Sequence, residues 1–318
     1  MLNQALAIAN GKGGVGKTSL TANLAAIAAK SGWEVLVVDL DPQGNLGADL
    51  GYRQLFMGDE GAALSRAVQF GESLKPPIES VRANLDAISA GERTRELARV
   101  LHDRGRVEAA RAMDAAFASL VDRYDLIIFD CPPGDDVLGD LGLALSRGLV
   151  VPIRFDAGSM DGLELMAKRV RAVRTSGVNP ELRLLGIALF DLNPQATALR
   201  RQVEEQVEAD FQQGVRIFSN VIRHSQRAAY DMRTEGMVSI EYEIDAQAER
   251  AERLVLLQRG SQHLSELGPA RSSSATGLAD DYTGLSNEIL EAFTDPEAVS
   301  VGELILPDSH TSATASSW

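Results

Sequence analysis

Between Gly11 and Thr18 the chain reads GKGGVGKT. The spacing G-x-x-x-x-G-K-[ST] is that of a loop that wraps phosphate oxygens. Glycines let main-chain N–H groups converge on an anion, and a helix N-terminus behind them adds its dipole. In such a loop Lys17 reaches the β- and γ-phosphates of a nucleotide, and the Thr18 hydroxyl binds Mg²⁺. The candidate nucleotide-binding residues are Gly11, Lys12, Gly13, Gly14, Val15, Gly16, Lys17, Thr18 and Ser19. Lys12 is one lysine more than this chemistry needs.

Two further stretches place acids where a nucleotide site uses them. EVLVVDLDPQGN, 34–45, is an apolar strand that runs into Asp39, Asp41 and a turn. YDLIIFDCPPG, 124–134, is a second apolar strand ending in Asp130. An acid at the carboxyl end of a strand beside a phosphate loop is the Walker B arrangement, and makes Asp130 a candidate metal-site residue.

The elements that must position these residues follow from the hydrophobic pattern. Strands are expected at Ala5–Ala9, Val35–Val38, Leu85–Ile88, Leu126–Phe129, Leu149–Ile153, Leu184–Leu189 and Val215–Phe218. Several are continuous apolar runs, as strands covered on both faces are. Helices are expected at Lys17–Lys30, Arg93–Asp122, Gly162–Ser176 and Thr197–Gln212. The alternation predicts an α/β fold with a doubly wound, mostly parallel sheet and helices on both faces. The expected organisation is an ATPase domain over 1–257 and a Ser/Gly-rich loop or insertion over 258–277. A helix packing back on the domain is expected over 278–294, and a disordered polar tail over 295–318.

The bulk numbers bound the class. With 318 residues and 45% hydrophobic residues, a large core can be buried. A net charge of −14 argues against a protein coated in positive charge, but not against a local basic patch. Cys131 is the single cysteine, which excludes a disulfide framework or an iron–sulfur site held by several cysteines of one chain and fits a reducing cytoplasm. The N-terminus lacks the charged region of a signal peptide, and no apolar run approaches the ~20 residues that span a bilayer.

Taken together, KGGVGKT with Lys12, DLDPQGN and IIFDCPPG resemble the three motifs of the ParA/MinD family of deviant Walker A P-loop ATPases. The resemblance covers roughly residues 5–245. It implies ATP and Mg²⁺ as cofactors and a homodimer closed face to face around two ATP molecules. Lys12 then crosses the interface to the partner's nucleotide. A cation delivered only by a second subunit, to phosphoryl oxygens that gain charge, couples hydrolysis to dimerisation. By the same resemblance Asp41 is the acid that orders Mg²⁺ waters and the attacking water, with Asp39 in support. Asp130 holds a Mg²⁺-bound water. The implied catalytic residues are Lys12, Lys17 and Asp41, and the implied metal residues are Thr18, Asp41 and Asp130.

Within the family, one cysteine does not suit the iron–sulfur and arsenite branches. The 278–293 segment carries Asp280, Asp281, Glu288 and Glu291 on its polar side, which an anionic membrane would repel. What remains resembles ParA-type ATPases of plasmid or chromosome partition. These are cytoplasmic and nucleoid-associated, bind DNA without sequence preference when ATP-bound, and turn over slowly until a ParB-like centromere-binding partner stimulates them. Since the phosphate loop begins the domain almost at once, no N-terminal helix-turn-helix domain and no operator-specific repression are expected. A cargo-positioning relative, or a MinD-like membrane switch, stays open as an alternative. Candidate DNA contacts are Lys168, Arg169, Arg171 and Arg174 in AKRVRAVR, and Arg223, Arg227 and Arg233 in RHSQRAAYDMR. Arg223 stands where the family usually has proline, and Tyr230-Asp231 where it has a Glu-Ala pair.

Overall fold

The computed structural model of the chain describes residues 1–134, 137–154, 159–192, 197–211, 215–259, 270–272 and 274–295. Residues 296–318 of the expected tail and 260–269 of the expected loop lie outside the described residues. The strands are β1 (Leu2–Ile8), β2 (Val35–Asp39), β3 (Ile78–Arg82), β4 (Leu85–Ile88), β5 (Leu126–Asp130), β6 (Ser146–Arg154) and β7 (Arg183–Phe190). The helices before β5 are α1 (Lys17–Lys30), α2 (Leu46–Asp49), α3 (Ala62–Phe70), α4 (Glu92–Arg104) and α5 (Arg106–Phe117). After it come α6 (Val137–Leu145), α7 (Ser159–Thr175), α8 (Thr197–Phe211), α9 (Gln226–Glu235), α10 (Ser239–Arg259) and α11 (Ala275–Thr294).

The strands form one sheet in the order β3-β4-β2-β5-β1-β6-β7. All pairings are parallel except β3 with β4. Each face carries its own core. Leu97, Met113, Leu141 and Met166 of α4, α5, α6 and α7 pack on one face. Leu24, Met232, Tyr242 and Leu285 of α1, α9, α10 and α11 pack on the other. Because both faces are covered, β2, β4 and β5 are buried at every residue; β2 and β5 are apolar up to Asp39 and Asp130, while β4 carries Asp86, which accepts the Tyr124 hydroxyl at 2.6 Å. The expected doubly wound, mostly parallel sheet is the one observed.

Local departures from the sequence pattern have physical reasons. The helix expected over Arg93–Asp122 is two helices, because Gly105 between them takes φ 78° and ψ 157°, outside helical geometry. The strand expected at Val215–Phe218 shrinks to single bridges, Ile187 with Ile217 and Phe190 with Ile222. Between them the N–H groups of Ser219 and Asn220 donate to the Glu288 carboxylate, both at 2.7 Å, instead of to a ladder. Strand β3 and helices α2, α3, α6, α9 and α10 add to the expected set. The C-terminal helix begins at Ala275, three residues before the expected start, and α10 continues to Arg259.

Candidate functional site

The carboxyl ends of β1, β2 and β5 lie side by side, and ligand sites of open α/β sheets form there. The chain leaves β1 through Asn10, which is fully buried. Its side-chain amide donates to Pro152 O at 2.7 Å, and its carbonyl oxygen accepts the Lys12 N–H at 2.9 Å. That fixes the entry to the glycine-rich loop. Helix α7 packs against the same entry: a Cβ on Gly11 would lie 2.5 Å from Leu165. Gly16 needs to be glycine for two reasons. Its φ is 97°, and a Cβ there would meet the Phe190 ring at 2.5 Å. Helix α1 begins at the next residue, so its free N–H groups face the loop.

Lys17 is 6% exposed, and its ammonium donates to Lys12 O at 2.9 Å. Burial lowers its pKa, against the raising pull of Asp130. Thr18 and Ser19 follow, with the Ser19 hydroxyl donating to Asp49 Oδ2 at 3.0 Å. Lys12 itself is half-buried, with its Cβ near Gly162 of α7.

Three carboxylates stand opposite the loop. Asp39 and Asp130 are register partners on β2 and β5, and both are buried. Burial, then the Asp130 charge, hold Asp39 well above the ordinary carboxylate range. Asp39 accepts the N–H of Asp41 at 2.9 Å and of Leu46 at 3.3 Å, so it organises the turn after β2. Asp41 lines the cleft and accepts the Gln43 N–H at 2.9 Å. Burial pushes Asp130 up to about 7, against the lowering pulls of the Thr18 hydroxyl and the Lys17 ammonium. Thr21 donates to its Oδ1 at 3.4 Å, while its Oδ2 is buried without a hydrogen-bond partner. A buried carboxylate oxygen left unsatisfied is costly, and a nearby cation relieves that cost. Thr18, Asp41 and Asp130 therefore fit a divalent cation. Among the described residues no group of three or more His, Cys, Asp or Glu could hold a metal by itself. Mg²⁺ does not need one, since it is usually bound through one or two protein oxygens, phosphates and water.

These groups open on a cleft of about 720 Å³. The glycine-rich loop lines it, and so do the apolar side chains of Phe190, Ile222, Met232, Met237, Leu278 and Tyr282, beside polar ones such as Arg223 and His224. Apolar side chains of this kind suit a flat aromatic base.

The structure separates the seven candidate DNA contacts. Lys168, Arg171 and Arg174 lie on α7, on one face of the sheet; Arg227 and Arg233 lie on α9, on the other. Lys168 pairs with Glu164 at 2.6 Å, and Arg174 donates to Pro180 O at 3.3 Å. Arg227 is 56% exposed and pairs with Asp231; Arg233 is 48% exposed and lies 3.5 Å from Asp49. Arg169 does not join them, which corrects its reading as a DNA contact. It is 5% exposed, and its guanidinium donates to Asp140 Oδ1 at 2.8 Å and to Gly134 O at 2.6 Å. Its place on the helix turns it inward, where it ties α7 to α6 and to the loop after β5. Arg223 is likewise committed within the fold, through two donors to Asp281.

The sequence pattern missed Asn10, Phe190, Leu278 and Tyr282. Asn10 directly precedes the glycine-rich motif, which was a usable signal. The others reach the cleft from distant elements, and no local pattern marks them.

Fold and site together define a P-loop nucleotide-binding protein. The pattern of the family described as AAA domain matches residues 3–184. The chain is 36% identical over 230 residues to the chromosome-partitioning ATPase Soj of Thermus thermophilus, covering 70% of this chain and 82% of that one. It is 31% identical over 250 residues to the chromosome partitioning protein ParA of Myxococcus xanthus, covering 74% and 84%. Its fold resembles that of a Cyanothece McdA variant in complex with ATP, with a TM-score of 0.67 and 19% identity over 90% of this chain and 96% of that one. It also resembles a Mycobacterium smegmatis cobyrinic acid a,c-diamide synthase solved with an ATP analogue and magnesium. There the TM-score is 0.59 and the identity 25%, over 73% and 92% of the two chains. The chain belongs to the ParA/MinD family of P-loop ATPases.

Proposed function

We propose that this protein is a ParA-type partition ATPase that binds Mg·ATP, closes as a homodimer, and in that state binds DNA without sequence preference. The observation that carries this reading is the loop itself: Lys17 buried at its base, and Lys12 held at its mouth by Asn10. The Soj and ParA relatives support the biological role.

The chain's own groups account for each requirement of phosphoryl transfer. Main-chain N–H groups from Gly13 to Lys17 take the phosphate oxygens. The Lys17 ammonium exchanges its bond to Lys12 O for the β- and γ-phosphates. Thr18, with Asp41 and Asp130, would hold Mg²⁺; when bound, the ion would neutralise charge on the phosphoryl oxygens. Asp41, placed by the turn that Asp39 organises, orients the attacking water. Lys12 supplies a cation to the partner's nucleotide. The reaction relies on position and charge rather than on a strong base. A ParB-like partner stimulates hydrolysis and releases the DNA.

Analytical ultracentrifugation tests the dimer. Wild type is expected to dimerise with Mg and a non-hydrolysable ATP analogue and to stay monomeric with Mg·ADP. An equal monomer–dimer balance with both nucleotides would overturn the coupling.

A further inference from the structure

Gly277, Asp281, Gly284 and Glu288 recur on α11 at i, i+4, i+7 and i+11, which places them on one helix face. All four meet the segment Ser219–Arg223. Glu288 accepts the N–H groups of Ser219 and Asn220 through its two oxygens, at 2.7 Å each, and also the Asn220 side-chain amide. Asp281 Oδ2 accepts the Arg223 N–H at 3.0 Å and its Nε at 2.6 Å; Oδ1 accepts Nη2 at 2.8 Å. The two glycines make room. A Cβ on Gly277 would strike the Arg223 guanidinium, and one on Gly284 the Asn220 carboxamide. Next to this face, Leu278 and Tyr282 line the cleft. The Tyr282 ring stands edge-on to Phe190, with centroids 6.2 Å apart, and Phe190 lies under Gly16.

We propose that α11 is a wall of the nucleotide cleft and that Arg223 and Asp281 are positioning residues for the base of a nucleoside triphosphate. The inference rests on the nucleotide-binding reading above and extends it to a helix outside the family motifs. The segment after Phe218 does not continue as a strand, because two carboxylates of α11 take three of its N–H groups. Its path is therefore imposed by the helix. That path makes Ile222, Arg223, His224 and Ser225 part of the cleft lining, with Leu278 and Tyr282 of α11. Charge-assisted bidentate pairs are among the stronger and more geometrically specific contacts. Releasing Arg223 frees the base end of the cleft and leaves the glycine-rich loop in place.

Two variants break the clamp by different routes. Asp281→Asn removes the charge. Gly277→Ala leaves every charge and pushes the guanidinium aside, while alanine favours the helix itself. Calorimetric titration of the full chain with Mg·ATP and with Mg·tripolyphosphate separates the base from the phosphates. Both variants are expected to bind ATP about tenfold more weakly, a change of about 1.4 kcal/mol, with tripolyphosphate affinity held within about twofold. Unchanged ATP affinity in both variants, or equal weakening for both ligands, would overturn the proposal. Wild type that binds tripolyphosphate as tightly as ATP would do the same, since the base end would then contribute nothing. Wild type that binds neither would overturn the nucleotide reading itself.

Discussion

The Lys17 ammonium donates to the main-chain carbonyl of Lys12 at 2.9 Å, so the two lysines of the glycine-rich loop meet backbone to side chain. They are not equivalent. Lys17 is buried at the base of the loop, while Lys12 is half-buried at its mouth. Lys17→Ala is expected to remove Mg·ATP binding. Lys12→Ala is expected to keep it, yet to lower dimer-dependent turnover on the order of a hundredfold, the scale of losing one preorganised charge at a transition state. Titration with a fluorescent ATP analogue and steady-state phosphate release read the two effects. Normal turnover in Lys12→Ala would contradict a role for Lys12 on the partner's nucleotide.

Asp130 Oδ2 is buried without a hydrogen-bond partner, beside a residue, Asp39, that is also a carboxylate. Asp130→Asn should leave the nucleotide-free chain at least as stable as wild type, because it removes an unsatisfied charge. The same change should shrink the stabilisation given by Mg·ATP, which in wild type reaches about 2.7 kcal/mol at a hundred times Kd. Thermal melts with and without Mg·ATP check both. A destabilised apo variant with an unchanged nucleotide effect would contradict the metal-site assignment.

Arg169 and Arg171 sit two residues apart on α7 and should behave differently. Arg169 is buried in its pair with Asp140, whereas Arg171 is exposed. Arg169→Ala leaves the buried Asp140 with the looser 3.4 Å pair to Arg106 and should cost about 3 kcal/mol of stability, the low end for breaking a buried pair. Arg171→Ala should leave the melting temperature in place. Parallel denaturation curves decide, and equal effects would contradict the placement of Arg169.

Arg82 on β3 binds Glu241 on α10 through two donors, at 2.6 and 2.7 Å. Burial raises the Glu241 carboxyl, but Arg82 and the Val238 N–H outweigh it and hold it below its usual value. A folded-state pKa below the unfolded one adds stability above the unfolded value, about 4.3, and loses it as pH falls through the folded one. Glu241→Gln should therefore lower resistance to urea at pH 7, and the gap from wild type should close below about pH 4. A gap of equal size at both ends would contradict the sign of the shift.

Much of this was legible because local chemistry wrote it. Helix α1 and strand β4 fall where the pattern puts them, since an alanine-rich run favours helix and the apolar Leu85, Ala87 and Ile88 of β4 are buried in the sheet. The phosphate loop and the strand-end acids were visible because G-x-x-x-x-G-K-[ST] and an acid closing an apolar strand are local patterns with a physical meaning. Arg169 was misread because a sequence shows charge and not which way a helix turns. The place of Arg223 was hidden because its partner, Asp281, lies 58 residues away. Gly105 split a helix that composition alone joined.

Binding to random-sequence duplex DNA, with Mg·ATP against Mg·ADP at two salt concentrations, tests the central claim most directly. The account predicts binding with ATP alone, weakening as salt rises because only phosphates are contacted. Equal binding in both nucleotide states, or none in either, would contradict it.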